Sequence, residues 1–421
     1  MELKSGTAVV LAGRLIDGTG GEVQTNVAVT IVDGVISAVS SRDSAERPEG
    51  AEVIDLGDQT LLPGLIDAHM HFFGVPSHQL HRLPKETESY RALRGAGEAR
   101  KILLAGFTST KDLGSSVGPD IRRAINEGHI PGPWLTAAGE FITTTNGTWE
   151  YTDLPLEWAR QRDIIADGPI GMREIVRRRI RSGANFIKLG LSKGYVDDNY
   201  HAWGDDPLRQ LAGMNLDEVK AATDEAHAHN VLVSAHCIGE IAVNLALDGG
   251  VDVIEHGYGI TEKTRQRLVD RQILVGTTIS QLYSHQAAYD EFNYPQWERE
   301  VFDRHTVQMR IDFEKGLEAG VRFVLGSDLI GYPTHPQDTA AREFEYAVAW
   351  GMDPKEAIVA GTARGAEALG QSDVIGTIEV GKYADLTAFA GDPIADITEL
   401  QRPAFVMQHG RLVRHGDSIH V

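Results

Sequence analysis

Six side chains suited to holding or bridging metal ions punctuate this sequence: His69 and His71 in HMH, Lys188 in FIKLG, His236 in SAHC, His256 in IEHG and Asp328 in GSD. Residues two apart on a strand point to the same side, so H-x-H at a strand end offers two imidazoles to one ion. Imidazole and carboxylate together suit Zn2+, with Mn2+, Co2+ and Fe2+ as competitors. Each residue alone has an ordinary explanation. His69 and His71 can be a chance pair, His236 a satisfied buried histidine, Asp328 a helix N-cap and Lys188 the partner of a nearby acid. Their coincidence at the ends of separate strand candidates is what points to a site. Five ligands and a bridge exceed what one catalytic zinc takes, so two ions are expected.

The elements that must gather these residues are legible as a rhythm. From Leu61 onward, apolar runs of four to seven residues alternate with longer stretches of helical period. Eight strand candidates, ending with ILVGTTI and VRFVLGSD, are nearly all followed by helices. That pattern predicts a (β/α)8 TIM barrel, whose functional residues converge at the carboxyl ends of the strands. Before and after it, short strands cut by Gly and Asp turns predict a small β-sandwich domain formed by both termini, with a hairpin at Asp33-Gly34. The expected division is 1–61 with 363–421 for the β domain and 62–362 for the hydrolase barrel. Two stretches break the rhythm, 143–168 and 192–214, and loops of that length are expected on the rim of a site.

Composition narrows the partners. Among 421 residues, 40 Lys and Arg stand against 60 Asp and Glu, a net charge of −20 that repels a nucleic acid backbone. The densest basic stretch, RRRIRSG at 177–183, sits in a helical pattern and reads as a solvated helix face. No run is long and apolar enough for a membrane span, and the start lacks the features of a leader. The single cysteine, Cys237, makes no intramolecular disulfide and reads as core, so a cytoplasmic location is expected. The partner expected is a small-molecule substrate.

The motifs LPGLIDAHMHFF at 62–73, NFIKLG at 185–190, VSAHCIGEIAVNLALDGGVDVIEHG at 233–257, VLGSD at 324–328 and GTIEVGKYADLTAF at 376–389 span almost the whole chain. In combination they resemble the amidohydrolase superfamily, in its branch of imidazolonepropionase-like proteins, metal-dependent carboxypeptidases and prolidases. The resemblance implies that His69, His71 and Asp328 hold one ion, that His236 and His256 hold the second, and that Lys188 bridges both as a carbamate formed with CO2. A protonated ammonium beside two divalent cations is repelled, whereas the carbamate is an anion with two oxygens. Two ions sharing a water lower its pKa to near 7, and Asp328 then serves as general base and general acid. The implied reaction is hydrolysis of an amide C–N bond in an N-acyl amino acid or dipeptide-like substrate. A cyclic amide, imide or lactone is the alternative, and a metal-free scaffold the reading from another class. Relatives often assemble, so a homo-oligomer is expected.

The sequence also departs from its relatives. Where many carry a G-G-H-G-like turn after strand three, this chain has Thr145-Asn146-Gly147-Thr148, so Asn146 is a candidate hydrogen-bond donor to substrate. Tyr195, His201 and Tyr258, just past strand ends, are further candidates for substrate contact, with Lys193 a candidate for a substrate carboxylate. Asp112, ending strand two, is expected to support structure rather than bind metal.

Overall fold

The computed structural model describes residues 6–151, 154–192 and 212–421. Its centre is a ring of eight parallel strands, and all eight fall on the strand candidates read from the sequence. In chain order they are Leu65–Met70, Phe107–Asp112, Trp134–Ala137, Ile187–Gly190, Val233–Cys237, Val253–His256, Leu274–Gly276 and Arg322–Val324, called here strands one to eight. Strands one to three form one parallel ladder and strands four to eight another. Two parallel bridges close the ring, Met70 with Leu329 and Ile142 with Leu189. The fold is thus the (β/α)8 barrel that the alternating pattern predicts.

Each strand is followed by at least one helix whose apolar stripe covers the ring. In Gly168–Arg181, after strand three, Met172, Ile175 and Val176 are fully buried at helical spacing. Arg177 and Arg178 on its opposite face are exposed as expected, but Arg179 turns inward and donates to the carbonyl of Asp163 at 2.5 Å. Local signals set the helix starts. Asn215 and Glu218 form a reciprocal capping box at the head of Leu216–Ala228, and Asp353 caps Pro354–Ala360.

The chain ends meet outside the barrel. Thr7–Leu15, Gln24–Val32, Val35–Ser41, Glu52–Asp55 and Thr60–Pro63 pair with Leu386–Phe389, Pro403–Gln408, Arg411–His415 and Ser418–Ile419. These nine strands form one continuous hydrogen-bonded sheet. Thr7–Leu15 joins its halves: Ala8–Leu11 pairs with Glu52–Asp55, while Arg14 and Leu15 pair with Thr60 and Leu61. The sheet encloses its own core of Val10, Leu15, Val29, Leu386 and Phe405. Asp33 and Gly34, at φ 49° and 78°, make the expected hairpin turn. Gly64 carries the chain from sheet to barrel, where a Cβ would lie 2.0 Å from Thr108 Oγ1.

Of the two long excursions, 143–168 contains the helix Leu156–Gln161 and a small apolar cluster with Phe73, Tyr151 and Ile164. Most of 192–214 lies outside the described residues, as do Lys193, Tyr195 and His201. Among the described residues no helix is long and apolar enough to cross a membrane.

Candidate active site

His69, His71, Lys188, His236, His256 and Asp328 line one cavity at the carboxyl ends of the strands. All five of the basic side chains are buried, and the Asp328 side chain is 14% exposed. Nε2 of His69 lies 3.3 Å and Nε2 of His71 3.2 Å from the same Asp328 oxygen. A tetrahedral ion with bonds of about 2.0–2.1 Å separates its ligand atoms by about 3.3 Å, so this spacing matches an edge of such a shell. His69, His256 and Asp328 each present a ligand atom within 4.8 Å of the others, a grouping able to hold a metal ion. The rings of His236 and His256 are 4.5 Å apart, and those of His69 and His256 5.1 Å.

Neighbouring residues fix which ring nitrogen faces the cavity. Glu255 Oε2 lies 2.8 Å from His69 Nδ1, and Thr278 Oγ1 lies 2.8 Å from His256 Nδ1, leaving both Nε2 atoms turned inward. Glu255 is itself held near Lys111, whose Nζ is 3.7 Å away and donates to Ser234 Oγ at 2.6 Å. Asp67 ties strand one to the turn after strand eight by accepting from the amides of His69 and Ser327, each at 3.0 Å. His256, Thr278 and Asp328 all have positive φ, of 73°, 60° and 53°. For non-glycine residues such values are uncommon and cluster at functional sites.

Electrostatics favour the unprotonated form at three of the four histidines; at His69 burial acts the same way but the carboxylates of Asp328 and Glu255 outweigh it and raise the pKa. Burial pushes His236 down to about 3, with the Lys188 charge adding to it, and it pushes His71 and His256 down as well. Their lone pairs are therefore free of protons at neutral pH. For Asp328, burial opposes ionisation, but the imidazoles of His69 and His71 outweigh it and hold the carboxyl well below its usual range. Burial also lowers Lys188, whose Nζ makes no hydrogen bond among the described residues. Its amine thus lies among imidazoles and a carboxylate with no hydrogen bond of its own, which an ordinary structural lysine would have.

The remaining candidates are placed differently. Asn146 is exposed at φ 59° and does not line the cavity, whereas Trp149, three residues on, does. Tyr258 is fully buried beneath the site, with its hydroxyl 2.6 Å from His305 Nδ1, and lines a separate small cavity. Asp112 accepts from the amides of Phe72 and Gly114, at 3.4 Å each, and lies outside the cavity. Cys237 is core. The reading from sequence missed the wall built by Gln281, His285, Tyr294 and Glu298 after strand seven. SQLYSHQ carries no spacing that distinguishes it from an ordinary amphipathic helix.

Residues 60–413 match the sequence profile of the amidohydrolase family. Over 424 aligned residues the chain is 30% identical to ochratoxinase of Aspergillus niger, an alignment covering 94% of this chain and 84% of that one. It superposes with a TM-score of 0.87 on a Xaa-Pro dipeptidase with methionine bound in the active site, at 29% identity, covering 97% of this chain and 100% of that one. The same TM-score, at 26% identity and the same coverage, relates it to a prolidase in complex with N-methylphosphonate-L-proline.

Proposed function

The chain belongs to the amidohydrolase family and is a hydrolase acting on C–N bonds; from that premise we propose a binuclear metal-dependent enzyme that cleaves the amide between an acyl group and an amino acid. The observation carrying this reading is the convergence of His69 and His71 on one Asp328 oxygen, in the cavity that also holds the unpartnered amine of Lys188. His69, His71 and Asp328 would hold one cation and His236 and His256 the other, with Lys188 bridging as its carbamate. Its neutral amine forms the N–C bond to CO2 and releases a proton to solvent. Zn2+ suits this donor set best. Divalent cations bound there supply an acidified water and Lewis-acid polarisation of the carbonyl.

The chain's own residues do the rest. Asp328, kept ionised by its two imidazoles, accepts a proton from the attacking water and returns it to the leaving nitrogen. Glu255 and Thr278 hold the rings of His69 and His256 in one tautomer throughout. Leu80, Leu113, Phe141, Trp149 and Phe302 give the cleft an apolar wall, which suits an apolar acyl group or side chain and excludes water around it. The dipeptidase and prolidase relatives, and ochratoxinase, support an amide of an amino acid as substrate.

The test combines metal analysis with turnover. Protein produced with zinc is expected to carry about two ions per chain and to hydrolyse N-acyl amino acids or dipeptides with apolar side chains. Asp328→Asn should lower kcat by about 10^2 to 10^4 while the fold is retained. Fewer than one ion per chain, or unchanged turnover in Asp328→Asn, defeats the reading.

A further inference from the structure

One buried cation of the barrel has no part in the chemistry proposed above. Lys111, on strand two, is 1% exposed, inside a ring whose interior positions normally carry branched apolar side chains. Taking an ammonium out of water is costly, so the filling of space does not account for a lysine there. Its Nζ donates to Ser234 Oγ at 2.6 Å, lies 3.7 Å from Glu255 Oε1 and stands 4.7 Å from the centre of the Phe186 ring. Strand two is no neighbour of strand five, which carries Ser234, or of strand six, which carries Glu255, so these contacts span the barrel interior.

The two oxygens of Glu255 face two different groups. Oε2 lies 2.8 Å from His69 Nδ1, while Oε1 makes no hydrogen bond among the described residues and has the Lys111 ammonium 3.7 Å away. Burial brings Lys111 down to about 8 while the Glu255 carboxylate opposes the fall, so the amine is a cation at neutral pH. The Glu255 side chain is itself 1% exposed, and a carboxylate that deep in a protein keeps its place only while a partner balances its charge. A line of contacts therefore runs from Ser234 through Lys111 and Glu255 to the first histidine of HMH.

Resting on the metal site argued above, we propose that Lys111 is a positioning residue: its ammonium holds the Glu255 carboxylate against His69 Nδ1, and through Glu255 it keeps the His69 ring turned as a metal ligand requires. Two other roles for the same lysine differ from this one in sign. A positioning lysine, once removed, lets the carboxylate leave His69, and metal binding weakens. A lysine acting only through its charge repels cations, so its removal tightens metal binding. A lysine that only supports the barrel lowers the stability of the metal-free fold on removal and leaves metal binding as it was.

The test loads the full-length protein with Co2+, reading affinity by competition with a chelator and the ligand-field absorption of the bound ion. Lys111→Met keeps nearly the length of the side chain and removes its charge. It is expected to weaken Co2+ binding by at least about tenfold and to shift the ligand-field bands. Added to Glu255→Gln, the same substitution is expected to cause no further loss, because the residue through which Lys111 acts is already altered. If Lys111→Met does not fold, Ser234→Ala, which removes only the acceptor that anchors the ammonium, is measured with and without Glu255→Gln, and the loss is again expected only where Glu255 is intact. Unchanged or tighter Co2+ binding in the variant that folds overturns the proposal, as does an equal loss in both backgrounds. Failure of the unaltered protein to take up Co2+ is a different result: it removes the metal site itself, and the role of Lys111 falls with it.

Discussion

Glu255 decides which nitrogen of His69 faces the cavity, and the sequence hides it. Adjacent side chains on a regular strand point to opposite faces, so a ligand at His256 assigns Glu255 to the outside of the barrel. The left-handed backbone of His256 breaks that alternation at the strand end, and Glu255 reaches His69, Lys111 and the space left by Gly276, where a Cβ would be 2.4 Å from its carboxylate. The residues proposed as ligands could be picked out because imidazole and carboxylate carry their chemistry in their identity; the residue beside them could not, because its placement depends on one φ angle. Glu255→Gln is expected to weaken metal binding by about 10- to 100-fold, measured by competition with a chelator. Unaltered affinity would remove Glu255 from its orienting role. Asp112 offers a second test at this scale. Burial raises its folded-state pKa from 3.8 to about 8, so between those values the folded state holds a proton that the unfolded state releases. Stability contributed by that proton is complete below about pH 4 and falls as pH rises toward 8, by about 1.4 kcal/mol per unit within the window. Asparagine keeps an oxygen for the amides of Phe72 and Gly114 and has no proton to lose. Denaturant unfolding from pH 5 to 8 should therefore show a flatter profile for Asp112→Asn, and parallel profiles would contradict the assignment.

Elements of this chain were legible wherever a repeating pattern faced a single environment. Most of the barrel strands fell on apolar runs, because a parallel sheet covered by helices buries both faces of each strand, while strand two, Phe107–Asp112, is buried although it reads FTSTKD. The outer sheet was less readable. That Thr7–Leu15 pairs with two different strands along its length, and so makes the sheet continuous, is not encoded in composition. The clamp on the turn after strand seven was equally hidden. Glu343, from the helix Arg342–Ala349, accepts from Thr277 Oγ1 and from the amides of Ile279 and Ser280, at 2.9 Å and 2.7 Å. These bonds pin Thr278 in its left-handed conformation, with its hydroxyl on His256. Glu343→Ala leaves both amides without that acceptor, at about 1–3 kcal/mol for each buried group. Glu343→Gln keeps the oxygen that serves Ile279 and gives up only the bond to Ser280. Urea unfolding should rank the variants with alanine the less stable, and His256-dependent metal binding should weaken in the same order. Equal stability of the two would show that the clamp contributes little.

At the scale of the whole molecule the barrel is held least regularly where its two ladders meet. Besides the bonds of Ser327 to the Asp67 carboxylate, strand one meets the chain after strand eight through three separate backbone hydrogen bonds among the described residues: Ala68 to Leu325 at 3.0 Å, His71 to Leu329 at 3.0 Å and Asp328 to His69 at 2.6 Å. His69 and His71 stand on one side of this seam and Asp328 on the other, so a cation shared by them acts as a staple across it. Any ligand bound only by the folded state adds RT ln(1 + [L]/Kd), about 2.7 kcal/mol at a hundredfold excess over Kd. Much of that gain should be local, because the outer sheet has its own core and no ligand residue. Removing metal with a chelator is therefore expected to lower the thermal midpoint and to speed amide exchange at His71 and Asp328. The amides of Val10 and Val29, paired within the outer sheet, should keep their protection while the molecule remains folded. A uniform rise in exchange across both regions would mean that the cation supports global stability rather than this seam, and no change at His71 or Asp328 would mean that it does not cross the seam at all.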